Sequence, residues 1–118
     1  MTTFAQLYDY CLAKLGAMET YPFGEETLVF KVGGKMFALS GFEAIPPRMN
    51  LKCDPERAIA LREEYSSVLP GYHMNKKHWN TVIFDGSLPD DLARELIDHS
   101  YNLVVSSLPR KAREELNS

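Results

Sequence analysis

The chain has 118 residues, a net charge of −3, 45% hydrophobic and 25% charged residues, the proportions of an ordinary globular protein with a single core. The net negative charge excludes a protein that coats nucleic acid indiscriminately. No apolar run approaches the roughly 20 residues that span a bilayer, and MTTFAQLYDYCLAKLG lacks the basic start and continuous apolar stretch of a secretory leader.

In chain order, Thr3 caps a first helix with Leu7, Tyr8, Cys11, Leu12 and Leu15 at three- and four-residue spacing, and Gly16 stops it. Ala17 to Gly24 reads as a loop, with an extended Tyr21-Pro22 step. Glu26–Val32 and Lys35–Gly41 make a hairpin, because Gly33-Gly34 can adopt the positive φ angles of a tight two-residue turn. That register pairs Phe30 with Phe37 and Leu28 with Leu39. It leaves Thr27, Lys31, Met36 and Ser40, with Val29 and Ala38, on a wetter face, as in a sheet covered on one side. After Pro46-Pro47, strict alternation in Arg48–Cys53 predicts a third strand with Arg48, Asn50 and Lys52 outward.

Asp54-Pro55 starts a second helix running to about Tyr65, with Ala58, Ile59, Leu61 and Tyr65 inward. Ser66–Leu69 is extended. Pro70-Gly71 bends the chain into PGYHMNKKHWN, which holds the only tryptophan, two of the three histidines and no carboxylate. Trp79–Phe84 is a strand rich in β-branched and aromatic residues. Ser87 and Asp90 form a predicted capping box for a third helix, whose stripe is Leu92, Leu96, Ile97, Tyr101, Val104 and Leu108. Pro109 interrupts it, and Arg110–Leu116 is a short charged helix before a frayed end. The whole chain, 1–118, is read as one α+β domain.

Charge is unevenly spread. Residues 1–30 carry one lysine against four acids, and 85–100 one arginine against five, whereas 31–52 carry Lys31, Lys35, Arg48 and Lys52 against Glu43 alone. Lys76 and Lys77 add to this, so one positive face is expected on an acidic protein. Lysines there can neutralise phosphates, His73, Asn75 and Asn80 can hydrogen-bond sugar or base edges, and Trp79 can offer a stacking face if it is not part of the core. The β-ribbon can also enter a groove with its tip leading. The same cations equally serve as edge protection. Cys11 and Cys53 form no Cys-x-x-Cys pair and read as buried, reduced thiols of a cytoplasmic protein. His73, His78 and His99 have no metal-ligand spacing, so no metal is expected. Ser100 and Ser106 lack the context of a nucleophile, and no catalysis or cofactor is expected.

Tyr21-Pro22-Phe23-Gly24, Gly34-Lys35-Met36-Phe37, Asn50 to Pro55, Pro70 to Asn80, Ser100-Tyr101 and Leu108-Pro109 together resemble the MmcQ/YjbR family over nearly the whole chain. The resemblance implies a compact bacterial domain with a CyaY-like fold. It is a two-layer α+β arrangement of order α-β-β-β-α-β-β-α, an antiparallel sheet with helices packed on one face. It also implies a further strand near Val68–Tyr72 and DNA binding through exposed sheet wings, and it transfers no catalytic residue. The leading expectation is thus contact with the phosphate backbone of double-stranded DNA through Lys31, Lys35, Arg48, Lys52, His73, Asn75, Lys76, Lys77, Trp79 and Asn80. The alternatives are a protein or peptide partner on the same sheet face, met by Met36, Met74 and Tyr72, and a small-ligand pocket lined by Tyr72, His73, Lys76 and Asn80.

Overall fold

The computed structural model describes residues 2–41 and 45–116. Among them the chain runs α1 (Phe4–Leu12), β1 (Met18–Thr20), β2 (Thr27–Val32), β3 (Lys35–Gly41), β4 (Arg48–Lys52), α2 (Pro55–Glu64), β5 (Val68–Pro70), β6 (Trp79–Ile83), α3 (Asp90–Ser107) and α4 (Arg110–Leu116). The strands form one antiparallel sheet in the spatial order β1-β2-β3-β4-β6-β5, with the helices on one face. This is the expected two-layer α+β fold. β1 is an addition, since its segment reads as loop: three residues are too few to display a period, and pairing with β2 alone makes them a strand. Glu43 and the end at residues 117–118 lie outside the described residues. No helix among the described residues is long and apolar enough to cross a membrane.

Local chemistry sets the helix starts. Thr3 and Gln6 form a reciprocal capping box on α1, and the Asp54 carboxylate accepts the Arg57 N–H ahead of Pro55 at the head of α2. The capping box predicted for α3 does not form. Ser87 instead donates both its N–H and its hydroxyl to Asp85, and Pro89 takes the cap position without a side-chain bond. Leu12 and Leu15 are exposed because α1 ends at Leu12, and Ile59 is exposed because α2 buries only Ala58 and Leu61.

The hairpin holds the main correction. Gly33 and Gly34 both have positive φ, as the turn requires, but the ladder slips at Phe30/Lys31, where β3 carries one extra residue. Phe30 therefore opposes Ala38, Leu28 opposes Ser40 and Val29 opposes Leu39, not the pairs the plain register predicts. A bulge lets Phe37 and Ala38 both turn inward, where Phe37 packs between Phe30 and Tyr101. Ala38 and Ser40 move to the core side and Leu39 to the open side. Where the bulge interrupts β3–β4 pairing, the fully buried Ser100 hydroxyl of α3 accepts the Lys52 N–H (2.8 Å) and donates to the Phe37 carbonyl.

Cys11 and Cys53 are free and buried, and burial pushes their thiols up to about 12 and about 11, so both stay protonated at neutral pH. His99 Nε2 accepts the Asp54 N–H at the start of α2 (3.1 Å). Burial, then the Arg57 guanidinium, hold this imidazole below its ordinary 6.5, against Glu95 and Asp54 pulling the other way. The unfolded chain therefore takes up this proton more readily than the folded one. The stability this group contributes is complete above pH 6.5 and is lost as pH falls from there through the lowered folded value. Unfolding midpoints taken from pH 7.5 down to 5.5 should fall more steeply for the natural protein than for His99→Gln.

Candidate nucleic-acid interface

Alternation along paired strands sorts the open face into cross-strand rows. The central row is continuous across all six strands: Thr20, Val29, Leu39, Asn50, Thr81 and Leu69 stand opposite one another in turn. Toward the β2–β3 turn lie Met18, Lys31 and Met36 on one side and Lys52 beside Trp79 on the other. Lys31 and Lys52 flank β3, so their backbones are about 10 Å apart, two strand spacings. At the opposite end stand Thr27, Gly41, Arg48 and Ile83.

The first part of the 71–78 loop, through Met74, folds back over this face, whereas farther on the Arg62 guanidinium of α2 donates to the Lys76 carbonyl (3.3 Å), which brings that part of the loop to the sheet end beside the helix layer. Gly71 still bonds to the Trp79 carbonyl, extending the β5–β6 ladder. Tyr72 is then seized at both of its backbone groups: its N–H donates to the Thr81 hydroxyl (2.9 Å) and its carbonyl accepts from the Asn50 amide (3.0 Å). The Thr81 hydroxyl donates in turn to Asn50 Oδ1, closing a ring of hydrogen bonds. His73 follows with φ 58°, a left-handed conformation that makes the loop turn sharply. Between this loop and Phe23 lies a trough of 460 Å³ floored by Thr27, Leu39, Gly41 and Asn50 and walled by Phe23, Tyr72, His73 and Met74. Phe23 and Tyr72 are 64% and 69% exposed, and the His73 ring lies 4.0 Å from that of Tyr72.

Of the residues singled out in the sequence, Lys31 and Lys52 are half-buried on the open face, their stems lying along it. Lys76 and Lys77 are exposed and follow at the same end, because the Cys53 N–H bonds to the His78 carbonyl just beyond β4. None of the four has an ion pair among the described residues. Arg48 is exposed at the far end, near the turn that carries Glu25 and Glu26. His73 and Asn75 are exposed, although the Asn75 side-chain Oδ1 accepts the Lys77 N–H. Trp79 is half-buried beside Lys52.

Two assignments need correction. Lys35 pairs with the core-facing Val32, so it points to the helix layer and reaches the carbonyl and hydroxyl of Ser107 at the end of α3, a favourable place for a cation. Asn80 is 2% exposed and faces the core, where its amide donates to the Ala58 carbonyl of α2. Neither reaches the trough, and the pocket expected from Lys76 and Asn80 is lined instead by Phe23, Leu39, Asn50 and Met74. The hairpin tip is not free to enter a groove either: a Cβ on Gly33 would come within 2.6 Å of Leu108. The sequence reading missed Asn50 and Thr81 as holders of Tyr72. Their trace is two amide or hydroxyl side chains on the same side of adjoining strands, visible only once β4 is known to neighbour β6.

Most resolved carboxylate chemistry is on the other layer. The ion pairs Lys14–Asp98, Arg57–Glu95, Arg94–Asp91 and Arg110–Glu114 all belong to helices or their ends. Glu19, on β1, accepts the Tyr8 hydroxyl of α1 and so also faces the helices.

In comparison with known proteins, residues 12–103 match the family model described as YjbR. The uncharacterized protein YjbR of Escherichia coli (strain K12) is 40% identical over 114 residues, 97% of this chain and 97% of that protein. The uncharacterized protein YbdF of Escherichia coli O157:H7 is 44% identical over 96 residues, 81% of this chain and 79% of that one. The crystal structure of Deinococcus radiodurans protein DR2400, family-model domain DUF419, superimposes with a TM-score of 0.93 at 44% identity, covering 99% of this chain and 89% of the other.

Proposed function

This chain belongs to the YjbR family, and from the charge on its open sheet face we propose that it binds the phosphate backbone of nucleic acid there, as a binding protein that carries out no reaction. Lys31, Lys52, Lys76 and Lys77 form the phosphate-binding end, and Arg48 contributes from the far end. The observation that supports this is a difference in charge between the layers: Lys14, Arg57, Arg94 and Arg110 of the helix layer pair with carboxylates, while Lys31, Lys52, Lys76 and Lys77 have no ion pair among the described residues. Lysines left unpaired on one surface of a protein with net charge −3 are available to an anionic polymer.

About four phosphate contacts give a slope of roughly −3 in log affinity against log salt. Raising salt from about 50 to 200 mM should then weaken binding about 50- to 150-fold in a fluorescence-anisotropy titration with a labelled oligonucleotide. The double variant Lys31→Ala/Lys52→Ala should halve the slope, leaving about a tenfold loss. Affinity that ignores both salt and the two substitutions would refute the proposal. A peptide held in the trough is the competing reading, favoured by the apolar side chains of Phe23, Leu39 and Met74. Its complex would persist at high salt.

A further inference from the structure

We infer that the trough on the open face is a base-stacking site, so that the ligand is a single strand whose bases enter between Phe23 and Tyr72 while its phosphates meet the lysines. This rests on the nucleic-acid proposal above and adds to it which form of nucleic acid is taken. A duplex is read by an element that projects into a groove about 12 Å wide; the β2–β3 ribbon has its tip packed on Leu108 and its Lys35 held by Ser107, and the loop of the β5–β6 ribbon starts out tied to the sheet through Tyr72. What the face offers instead is concave. Its 460 Å³ lie within the about 300–1,000 Å³ typical of small-molecule sites, and two largely exposed aromatic rings stand on its walls.

Exposed aromatic faces over an uncharged floor match unstacked bases, since every base has a π-face whatever its identity. Tyr72 is prepared for this role before any ligand arrives, because both of its backbone groups are fixed to the sheet through Asn50 and Thr81. Asn50 retains a second amide N–H, and Thr27 its hydroxyl, for the edge of a seated base. A peptide would use the apolar walls equally well, but it would leave Lys31 and Lys52, one step along the same face toward the β2–β3 turn, without an anion. Charge complementarity therefore favours the nucleic acid.

The test is an anisotropy titration with a labelled 12-mer of thymidylate and with the same strand annealed to its complement, at low salt. The single strand should bind at least tenfold more tightly than the duplex. Tyr72→Ala and Phe23→Ala should each weaken it about ten- to hundredfold, with Tyr72→Phe close to the natural protein and duplex affinity unchanged. Both side chains are exposed, so the variants fold, which circular dichroism verifies. Equal or tighter duplex binding, with Tyr72→Ala neutral, would overturn the base site while leaving the phosphate-binding proposal standing. Binding of neither form would defeat that proposal and this inference together.

Discussion

Replacing Ser100 by alanine is expected to destabilise the protein by about 3 kcal/mol, as the loss of two buried backbone partners at about 1–3 kcal/mol each predicts. The hydroxyl is fully buried on α3 and serves both strands at the bulge, accepting from Lys52 N–H and donating to the Phe37 carbonyl. Those two groups lie just past the last β3–β4 pair, Ala38 with Leu51, so the ladder has nothing to give them in exchange. Alanine fits the space but leaves an N–H and a C=O in the core without a partner. Urea denaturation should register the drop in midpoint. Ser106→Ala, on the exposed side of the same helix, should change stability by less than about 0.5 kcal/mol. A Ser100→Ala variant as stable as that control would mean the strands close the gap themselves.

Gly71→Ala should come next, at about 2–3 kcal/mol, with a loss of binding as well. A Cβ on Gly71 would stand 2.8 Å from both the Cβ and the carbonyl oxygen of Trp79 and 3.1 Å from its carbonyl carbon. These are main-chain neighbours that cannot swing away, and overpacking of this kind costs about 1–3 kcal/mol. Relief comes only by opening the Gly71–Trp79 bond, which carries Tyr72 off its seat on Asn50 and Thr81. Gly41→Ala makes the comparison, because its nearest neighbour would be 3.9 Å away, and it should leave the unfolding midpoint nearly unchanged. If the two variants unfold alike, the close approach at Gly71 is not a constraint.

Features fixed by neighbours in sequence were legible in it. Thr3, Asp54-Pro55 and Gly33-Gly34 act within four residues of themselves, and their consequences follow from that spacing. The bulge does not, because a single surplus residue in Lys35–Gly41 leaves two alternation patterns equally possible, and core packing of Phe37 decides between them. Lys35 is untouched by the slip: it opposes the core-facing Val32 in the plain register as in the observed one, so its direction toward the helix layer was legible in the hairpin, and only its place beside the turn made it read as a free cation. Asn80 reads as a polar residue beside a cationic loop, but α2 packs across β6 and takes its amide. Lys31, Lys52, Lys76 and Lys77 were identifiable as surface cations from charge distribution alone. Phe23, Asn50 and Thr81 came from three distant segments and needed the sheet order to be seen as one place.

Asn50, Tyr72 and Thr81 are drawn from β4, the loop and β6, with α2 and β5 intervening along the chain. A nascent polypeptide emerging from the ribosome therefore cannot fasten the Tyr72 N–H until Thr81 has been added. The seat of the Tyr72 ring is thus a property of the assembled sheet and of no single stretch of chain.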